Sequence, residues 1–262
     1  MNGHAARKRF GQNFLHDPAV IARIVAAIAP APADHLVEIG PGLGALTIPL
    51  SRVVDDLQLI EIDRDLVRRL YQQFPALRIH EADVLDLDFS KLGDQLRIVG
   101  NLPYNISTPL LFHLSRFAER VRDAHFMLQK EVVDRMTAAP GSKVFGRLSV
   151  MLQYRWQMHS LFTVAAESFE PAPQVQSAVV RLLPHAALPW QARSEADFAE
   201  VVSAAFGQRR KTLRNALRTL LSEREIIALD IDAGARAEML GVEAFVRLAN
   251  CLTEQRQSAA AQ

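Results

Sequence analysis

The segment Leu36-Val37-Glu38-Ile39-Gly40-Pro41-Gly42-Leu43-Gly44 contains the pattern that decides the fold. Its first five residues are typical of a buried strand, and a helix over 45–53 is predicted to follow the glycine-rich turn. Glycines let the backbone approach a ligand closely, and the N-terminus of the helix offers amide donors. Many nucleotide-binding folds contain such a turn, so it indicates a ligand-binding unit without identifying the ligand.

Strands and helices alternate along the chain on the C-terminal side of this unit. Further strands are predicted at 57–63, 77–80, 97–101, 123–129, 161–164 and 177–183. The alternation predicts an α/β fold with a seven-stranded, mostly parallel sheet covered by helices on both faces. Helical patterns dominate from Glu195 onward. We therefore expect two domains, an α/β domain over 1–185 and a small all-helical domain over 193–255.

Four successive predicted strands end in residues that suit a ligand site, namely Gly40, Glu61, Asp83 and Asn101. In sheets of this kind ligands bind beyond the carboxyl ends of the strands, so we expect these residues to converge. Glu61 follows Gly44 at the distance expected of an acid that binds ribose hydroxyls. These positions predict an adenosine-containing cofactor, either a dinucleotide or S-adenosylmethionine.

Asp83 is the candidate acceptor for the amine of the adenine, because it follows the third predicted strand at the same edge of the sheet as Glu61. Asp86 and Asp88 follow closely and are alternatives for this role.

The stretch Asn101-Leu102-Pro103-Tyr104-Asn105 follows the fourth strand. It places an amide, a carbonyl ahead of a proline and an aromatic ring side by side. The proline biases Leu102 toward an extended conformation and has no amide hydrogen of its own. This combination predicts a site that binds the flat amine of a nucleobase.

Composition and motifs exclude several classes of protein. Of the 262 residues 49% are hydrophobic and 23% are charged, which is typical of a soluble globular protein. The N-terminus lacks the apolar core of a signal peptide, and we expect a cytoplasmic protein. Cys251 is the only cysteine and the histidines show no metal-ligand spacing, so no metal is expected. His113 and His125 are interpreted as structural residues with satisfied hydrogen bonds.

Charge is unevenly distributed along the chain. Residues 55–94 contain ten acidic and five basic side chains, whereas residues 206–224 contain six basic side chains and Glu223. Such segregation favours a polyanionic partner, although a solvated basic helix face is the alternative. The predicted RNA-binding residues are Arg7, Lys8, Arg9, Arg209, Arg210, Lys211 and Arg214.

Several motifs in the same order agree with one known family. They are Gln12-Asn13-Phe14-Leu15, 38–44, Glu61 with Asp63, Asp83, 101–105, Phe169 with Pro171, Pro173, Val175 and Ser177, and 206–215. In these motifs the chain resembles the small-subunit (16S) ribosomal RNA adenine dimethyltransferases of the KsgA/RsmA type.

The resemblance implies a methyltransferase domain that uses S-adenosylmethionine, followed by a small helical domain. It implies two methyl transfers to each of two adjacent adenosines in the 3′-terminal hairpin of small-subunit ribosomal RNA. The expected partner is a precursor 30S particle, in a role in small-subunit biogenesis, and the protein is expected to act as a monomer. The residues that the resemblance assigns to the cofactor site are Asn13, Leu15, Gly40, Glu61, Asp83 and Asn101.

A chemical role follows for the residues around Asn101. The Asn101 side-chain oxygen and the Leu102 carbonyl are predicted to accept the two hydrogens of the adenine amine, with Pro103 fixing the direction of that carbonyl. Tyr104 is predicted to stack on one face of the base and Phe169 on the other.

Three other functions fit parts of the sequence. A large-subunit ribosomal RNA methyltransferase of the macrolide-resistance type shares most of these motifs. A ribosome-assembly factor without important catalysis explains the basic segments. A dinucleotide oxidoreductase explains residues 40–61 but gives no role to Asn101.

Overall fold

The computed structural model describes residues 12–208 and 210–260. Four of the residues predicted to bind RNA, Arg7, Lys8, Arg9 and Arg209, lie outside the described residues.

The described residues form nine β-strands. They are β1 (Phe14–Leu15), β2 (His35–Ile39), β3 (Asp56–Glu61), β4 (Arg78–Glu81), β5 (Leu96–Asn101), β6 (Val121–Gln129), β7 (Trp156–Val164), β8 (Phe169–Glu170) and β9 (Ser177–Pro184).

The α-helices of the described residues alternate with these strands and then dominate the C-terminal part. They are α1 (Pro18–Ile28), α2 (Thr47–Leu50), α3 (Arg64–Gln73), α4 (Ser107–Ser115), α5 (Lys130–Met136), α6 (Arg147–Gln153), α7 (Glu195–Phe206), α8 (Leu213–Ala216), α9 (Glu223–Ala228) and α10 (Val242–Ala260).

The main sheet has seven strands in the order β4-β3-β2-β5-β6-β9-β7. β2 is parallel to β3 and β5, and the parallel pairing continues to β4 on one side and β6 on the other. β9 is antiparallel to β6. The predicted seven-stranded, mostly parallel α/β fold with a helical C-terminal region is therefore confirmed.

The strand order reverses between β2 and β5. From β2 the chain proceeds outward to β3 and β4, and it then returns to the centre to form β5 on the other side of β2. The connections that leave the two central strands therefore run in opposite directions, and a crevice forms at their carboxyl ends. β1 and β8 form a separate antiparallel ribbon that pairs Leu15 with Phe169.

A predicted helix and a predicted strand differ from the structure. The helix expected over 45–53 is reduced to α2, which contains Pro49. The missing amide hydrogen of Pro49 removes the bond to the Ala45 carbonyl, so the helix does not extend back to Ala45, and beyond Ser51 the Val53 and Val54 amides both bond to the Leu50 carbonyl in a turn. The strand predicted at 161–164 begins earlier, because β7 starts at Trp156. β7 is placed beside β9 at the edge of the sheet, and such distant pairing leaves no local signal in the sequence.

The chain divides into two compact units. The first runs to Val133 and includes Gln157–Pro184, and the second consists of Asp134–Trp156 and the chain from His185 onward. Residues 134–156, which fall within the domain predicted over 1–185, thus belong to the second unit. Each unit has its own apolar core, with Leu36 and Val99 in the first and Phe198 and Phe245 in the second.

The two histidines interpreted as structural have different surroundings. Nε2 of His113 lies 2.7 Å from the Leu87 carbonyl oxygen, as expected of a satisfied residue. His125 is 3% exposed, and neither ring nitrogen has a hydrogen-bond partner within the described part of the chain, so that part of the expectation is wrong. Burial lowers the pKa of His125 to about 4, and the ring is neutral at pH 7.

The described residues contain neither a candidate membrane span nor a candidate metal cluster. Among residues 12–208 and 210–260, no helix is long and apolar enough to cross a membrane. Within the same residues, no group of three or more His, Cys, Asp or Glu side chains has a geometry that could hold a metal ion.

Gly100 permits a close approach between the two central strands. A Cβ added at this position lies 2.6 Å from the carbonyl oxygen of Ile39 and 2.9 Å from Cδ2 of Leu102. The first contact is with backbone, which cannot rotate away as a flexible side chain can. Any side chain at position 100 must therefore push β5 away from β2 beneath the crevice.

We expect Gly100→Ala to lower the free energy of unfolding by about 1–3 kcal/mol, the usual cost of overpacking a core. Urea denaturation monitored by circular dichroism measures the change. The matched control is Gly146→Ala, because a Cβ there meets only the Val144 carbonyl oxygen at 4.0 Å. Equal stability of the two variants would show that β2 and β5 tolerate a wider spacing.

Candidate active site

A cavity of about 290 Å³ opens at the carboxyl ends of the parallel strands in the first unit. It lies where the strand order reverses, which is the position expected for a ligand in such a sheet. The lining residues are 12–15, 38–43, 45, 46, 60–62, 66, 82–84 and 101–106. All six residues that the sequence assigned to the cofactor site, Asn13, Leu15, Gly40, Glu61, Asp83 and Asn101, are among them.

The glycine-rich turn after β2 brings backbone close to the N-terminal segment. Gly42 has a φ of +57°, and a Cβ added there lies 3.2 Å from two ring atoms of Phe14. Glycine meets both the conformational and the steric requirement at this position. The turn and the segment 12–15 can therefore lie against each other and enclose one side of the cavity.

Glu61 connects the end of β3 to the glycine-rich turn. Its Oε1 accepts hydrogen bonds from the amides of Ile62 (3.0 Å) and Asp63 (2.9 Å), and its Oε2 accepts one from Gly42 (3.4 Å). Burial raises the pKa of the carboxyl, whereas these amide bonds oppose that shift. The carboxylate is held in place, and Oε2, which accepts a single bond, retains a lone pair for a ligand hydroxyl.

Glu38 is a cavity residue that sequence reasoning missed. It is 2% exposed, and its Oε2 accepts a hydrogen bond of 2.7 Å from Oγ1 of Thr47 at the start of α2. Burial, with a smaller effect from the charge of Glu61, raises the pKa of Glu38 to about 7. The available signal was the presence of a carboxyl side chain inside an otherwise apolar strand.

The charged residues that line the cavity are all acidic. Glu38, Glu61 and Asp83 contribute carboxyl groups, and no lysine, arginine or histidine is found among the described lining residues. Three buried or half-buried carboxyls with no basic side chain among the described lining residues favour a ligand that carries positive charge. A dinucleotide, with its anionic pyrophosphate, is poorly matched to such a lining.

Asp83 is the only one of the three candidate acids after β4 that lines the cavity in the described structure. Its Oδ1 accepts a hydrogen bond of 2.9 Å from the Leu85 amide, which fixes the carboxylate at the cavity wall. Asp88 instead caps the short 3-10 helix Phe89–Lys91 by accepting a hydrogen bond from the Ser90 amide.

The side chain of Asn101 has a determined orientation. Its Nδ2 donates a hydrogen bond of 3.0 Å to the main-chain carbonyl of Asn13. Because the partner can only accept, the amide nitrogen must be the atom that faces it. Oδ1 is therefore the atom of Asn101 that remains to accept a hydrogen bond from a ligand in the cavity.

The turn that follows Asn101 is fixed through its backbone. The Leu102 amide donates to the Met127 carbonyl at 3.1 Å, and the Pro103 carbonyl accepts bonds from the Ile106 amide and from Oγ of Ser107. These contacts join the turn to β6 and to the start of α4. The Leu102 carbonyl thus belongs to a rigid turn that directly follows Asn101.

Tyr104 lines the cavity with a half-buried ring. Its hydroxyl lies 2.8 Å from Oγ of Ser177, at the start of β9. Burial raises the pKa of Tyr104, so the phenol is neutral at pH 7. The structure therefore brings Asn101, Leu102, Pro103 and Tyr104 together at one wall of the cavity, as the sequence predicted.

Phe169 does not line the cavity. Its ring is 2% exposed and belongs to the apolar core that also contains Leu15, its partner in the β1–β8 ribbon. Stacking of Phe169 on a base requires the ring to leave this position. The predicted role is not realised in this geometry, and the sequence could not reveal the pairing of β1 with β8 that buries the ring.

The described residues of the basic segment belong to the second unit. Arg210 and Lys211 are exposed, as a polyanion contact requires. Arg214 is also exposed, but its Nη1 lies 3.1 Å from a carboxylate oxygen of Glu223, which offsets part of its charge.

Comparison with protein families gives a match over nearly the whole chain. The model of the family described as ribosomal RNA adenine dimethylase matches residues 3–254. The chain is also 56% identical to a ribosomal RNA small subunit methyltransferase A from Aromatoleum aromaticum, and the match covers 100% of this chain and 99% of that protein.

Two solved structures have a similar fold. A dimethyladenosine transferase from Plasmodium falciparum gives a TM-score of 0.74 at 24% identity, covering 94% of this chain and 98% of that one. The 23S rRNA methyltransferase ErmE gives a TM-score of 0.73 at 25% identity, covering 92% of this chain and 100% of that one. The same fold therefore occurs in a dimethyladenosine transferase and in a 23S rRNA methyltransferase.

Proposed function

This chain belongs to the ribosomal RNA adenine dimethylase family, and we propose that its cavity is the site at which adenosines of small-subunit ribosomal RNA receive methyl groups. The chain is an S-adenosylmethionine-dependent ribosomal RNA adenine dimethyltransferase. The small-subunit substrate is favoured over the large-subunit alternative by the 56% identity to a small-subunit enzyme, against 25% identity to ErmE.

The proposal extends to the details of the substrate. We infer that the targets are two adjacent adenosines in the 3′-terminal hairpin, presented by a precursor 30S particle in the cytoplasm, and that the enzyme acts on it as a monomer. The exposed Arg210 and Lys211 support a contact with the RNA backbone. The same role is proposed for Arg7, Lys8, Arg9, Arg209 and Arg214.

The lining of the cavity fits S-adenosylmethionine, which supplies an electrophilic methyl group on a positively charged sulfur when it is bound. The described residues that line the cavity include acids but no bases, and this acidic lining suits the positive charge of the cofactor. Glu61 is proposed to accept hydrogen bonds from the ribose, and Asp83 from the adenine amine of the cofactor. Asn13, Leu15, Gly40 and Asn101 are proposed to complete this site.

The observation that supports the catalytic role most strongly is the hydrogen bond from Asn101 Nδ2 to the Asn13 carbonyl. It directs Oδ1 of Asn101 to accept a hydrogen from the target amine, while the adjacent Leu102 carbonyl accepts the other. The lone pair of an adenine amine is delocalised into the ring. Two positioned acceptors favour a pyramidal nitrogen whose lone pair can be aimed at the methyl group.

No strong base is required at this site. The nitrogen becomes acidic when it gains a methyl group, and it loses a proton readily to water. Two neutral acceptors also tolerate a substrate that has one hydrogen left, as the second transfer requires. Tyr104 is proposed to stack on the target base after the base leaves its helix, a contact worth about 1–3 kcal/mol.

The function is tested by incubating the protein with methyl-labelled S-adenosylmethionine and unmethylated small or large ribosomal subunits in parallel. We expect dimethyladenosine in the small-subunit RNA alone, identified by nucleoside digestion and mass spectrometry. Label in the large subunit would assign the enzyme to the resistance type. Absence of label in both, with the cofactor bound, would indicate an RNA-binding assembly factor.

We expect Asn101→Ala to reduce methyl transfer by at least about 100-fold, because it removes a positioned acceptor. Cofactor affinity, measured by calorimetry, should fall by less than about tenfold, the worth of one hydrogen bond. Asn101→Asp keeps the acceptor oxygen and adds a second one, but it cannot donate to the Asn13 carbonyl at neutral pH. It should therefore also be strongly impaired, and wild-type turnover by either variant would contradict the acceptor role.

We expect the double reversal Arg210→Glu, Lys211→Glu to weaken binding to small subunits and to flatten its salt dependence, by about 0.7–0.9 in log–log slope for each phosphate that the protein no longer neutralises. Binding is measured by filtration at several salt concentrations. The matched control is Arg68→Glu, Arg69→Glu, which makes the same change in net charge at two exposed positions of α3. Equal effects of the two double variants would mean that net charge alone is responsible.

A further inference from the structure

The hydrogen bond between Tyr104 and Ser177 joins two segments that are 73 residues apart in the chain. Tyr104 belongs to the turn after β5, and Ser177 is the first residue of β9. The two hydroxyl oxygens are 2.8 Å apart. Neither residue's hydroxyl has a role in the acceptor chemistry described for Asn101 and Leu102.

Ser177 is held rigidly by the sheet. It is fully buried, at 0% exposure, and it pairs with Gln129 in the antiparallel ladder between β9 and β6. The carbonyl of the preceding residue, Gln176, accepts a hydrogen bond of 2.9 Å from the Lys130 amide. The position of Ser177 is therefore set by the pairing of β9 with β6.

The ring of Tyr104 depends on that fixed point. Its backbone is held in the turn by the bonds of Leu102 and Pro103 to β6 and α4. The hydroxyl oxygen lies on the Cβ–Cγ axis, so the bond to Ser177 fixes the direction of the side chain, set by the first torsion. Rotation of the ring about that axis is restricted because the phenol O–H, conjugated with the ring, prefers to lie in the ring plane and must point at Oγ of Ser177. The bond therefore favours one plane of the ring at the cavity.

We propose that Ser177 is a positioning residue that fixes the plane of the Tyr104 ring for stacking of the target adenine. This inference rests on the proposed function, because it takes Tyr104 as the stacking partner of the base. The ring plane determines the plane of the base, and hence whether the base amine meets Oδ1 of Asn101 and the Leu102 carbonyl together. Ser177 acts through Tyr104 and does not itself contact the substrate.

The bond persists over the working range of pH. Burial raises the pKa of Tyr104, and the hydrogen bond with Ser177 only partly opposes this shift. The phenol therefore remains protonated at neutral pH. A neutral pair of hydroxyls also adds no charge to a wall that must admit an uncharged base.

The test compares Ser177→Ala, Tyr104→Phe, their double variant and Tyr104→Ala on unmethylated small subunits. Tyr104→Phe keeps the ring and removes only the hydroxyl. We expect each of the first two variants to lower kcat by about three- to tenfold, the worth of one hydrogen bond. KM for the subunit should change little, because most of the interface remains intact.

Two further results distinguish positioning from a merely structural role. The double variant should lose no more than the worse single variant, since both remove the same bond. The fraction of monomethyladenosine among the products should rise. In the second transfer the amine has only one hydrogen to donate to the two acceptors, so this transfer depends more on the orientation of the base than the first one does. Ser177→Ala, Tyr104→Phe and their double variant should bind S-adenosylmethionine with an affinity within about twofold of wild type, as measured by calorimetry. Such a change is smaller than the loss of one hydrogen bond would cause.

The matched control is Tyr71→Phe on α3, which removes a hydroxyl that donates to the Ile79 carbonyl, away from the cavity. Wild-type kcat and product ratio in stably folded Ser177→Ala and Tyr104→Phe, or additive losses in the double variant, would overturn the inference. Full activity of Tyr104→Ala would instead refute the stacking role of Tyr104 itself. Loss in Tyr104→Ala but not in the other variants would leave the stacking role intact and refute the positioning by Ser177.

Discussion

The site depends on one constraint, the direct contact of β2 and β5 at the point where the strand order reverses. The chain leaves these two strands in opposite directions, so their carboxyl ends open into a crevice rather than into a packed loop. The glycine-rich turn follows one strand and the turn of Asn101 follows the other. The close spacing requires Gly100, since any Cβ there meets the Ile39 carbonyl oxygen at 2.6 Å. The residues proposed to bind the cofactor and those proposed to bind the target base are thereby brought within one cavity.

The acidic lining explains how the same cavity can be stable without a ligand and selective with one. Burial raises the pKa of Glu38 to about 7 and raises that of Glu61, so ionising both costs free energy in the unliganded protein. Thr47 offsets part of this cost for Glu38, and the amides of Gly42, Ile62 and Asp63 do so for Glu61. A cationic cofactor supplies positive charge to this lining. The binding of positive charge and the ionisation of these carboxyls are therefore linked.

The sequence predicted the parts of the site that lie at strand ends and left out those that depend on distant pairing. Gly40, Glu61, Asp83 and Asn101 were identified because a parallel sheet aligns the ends of its strands. Glu38 was missed because its buried carboxyl sits inside a strand, where period and composition predict only core. The core position of Phe169 and the bond between Tyr104 and Ser177 follow from the β1–β8 and β6–β9 pairings. Local patterns contain no information on such pairings.

The choice of an amide at position 101 follows from both of its neighbours. Its nitrogen must donate to the Asn13 carbonyl, and a carboxylate, which only accepts, would repel that oxygen. In the proposed role its oxygen accepts from the target amine without adding a further negative charge to a lining that already contains the carboxyl groups of Glu38, Glu61 and Asp83. A further carboxylate would raise the cost of ionising the other three. A neutral acceptor held by the N-terminal segment satisfies both conditions, and it makes the segment 12–15 part of the proposed catalytic geometry as well as of the cavity wall.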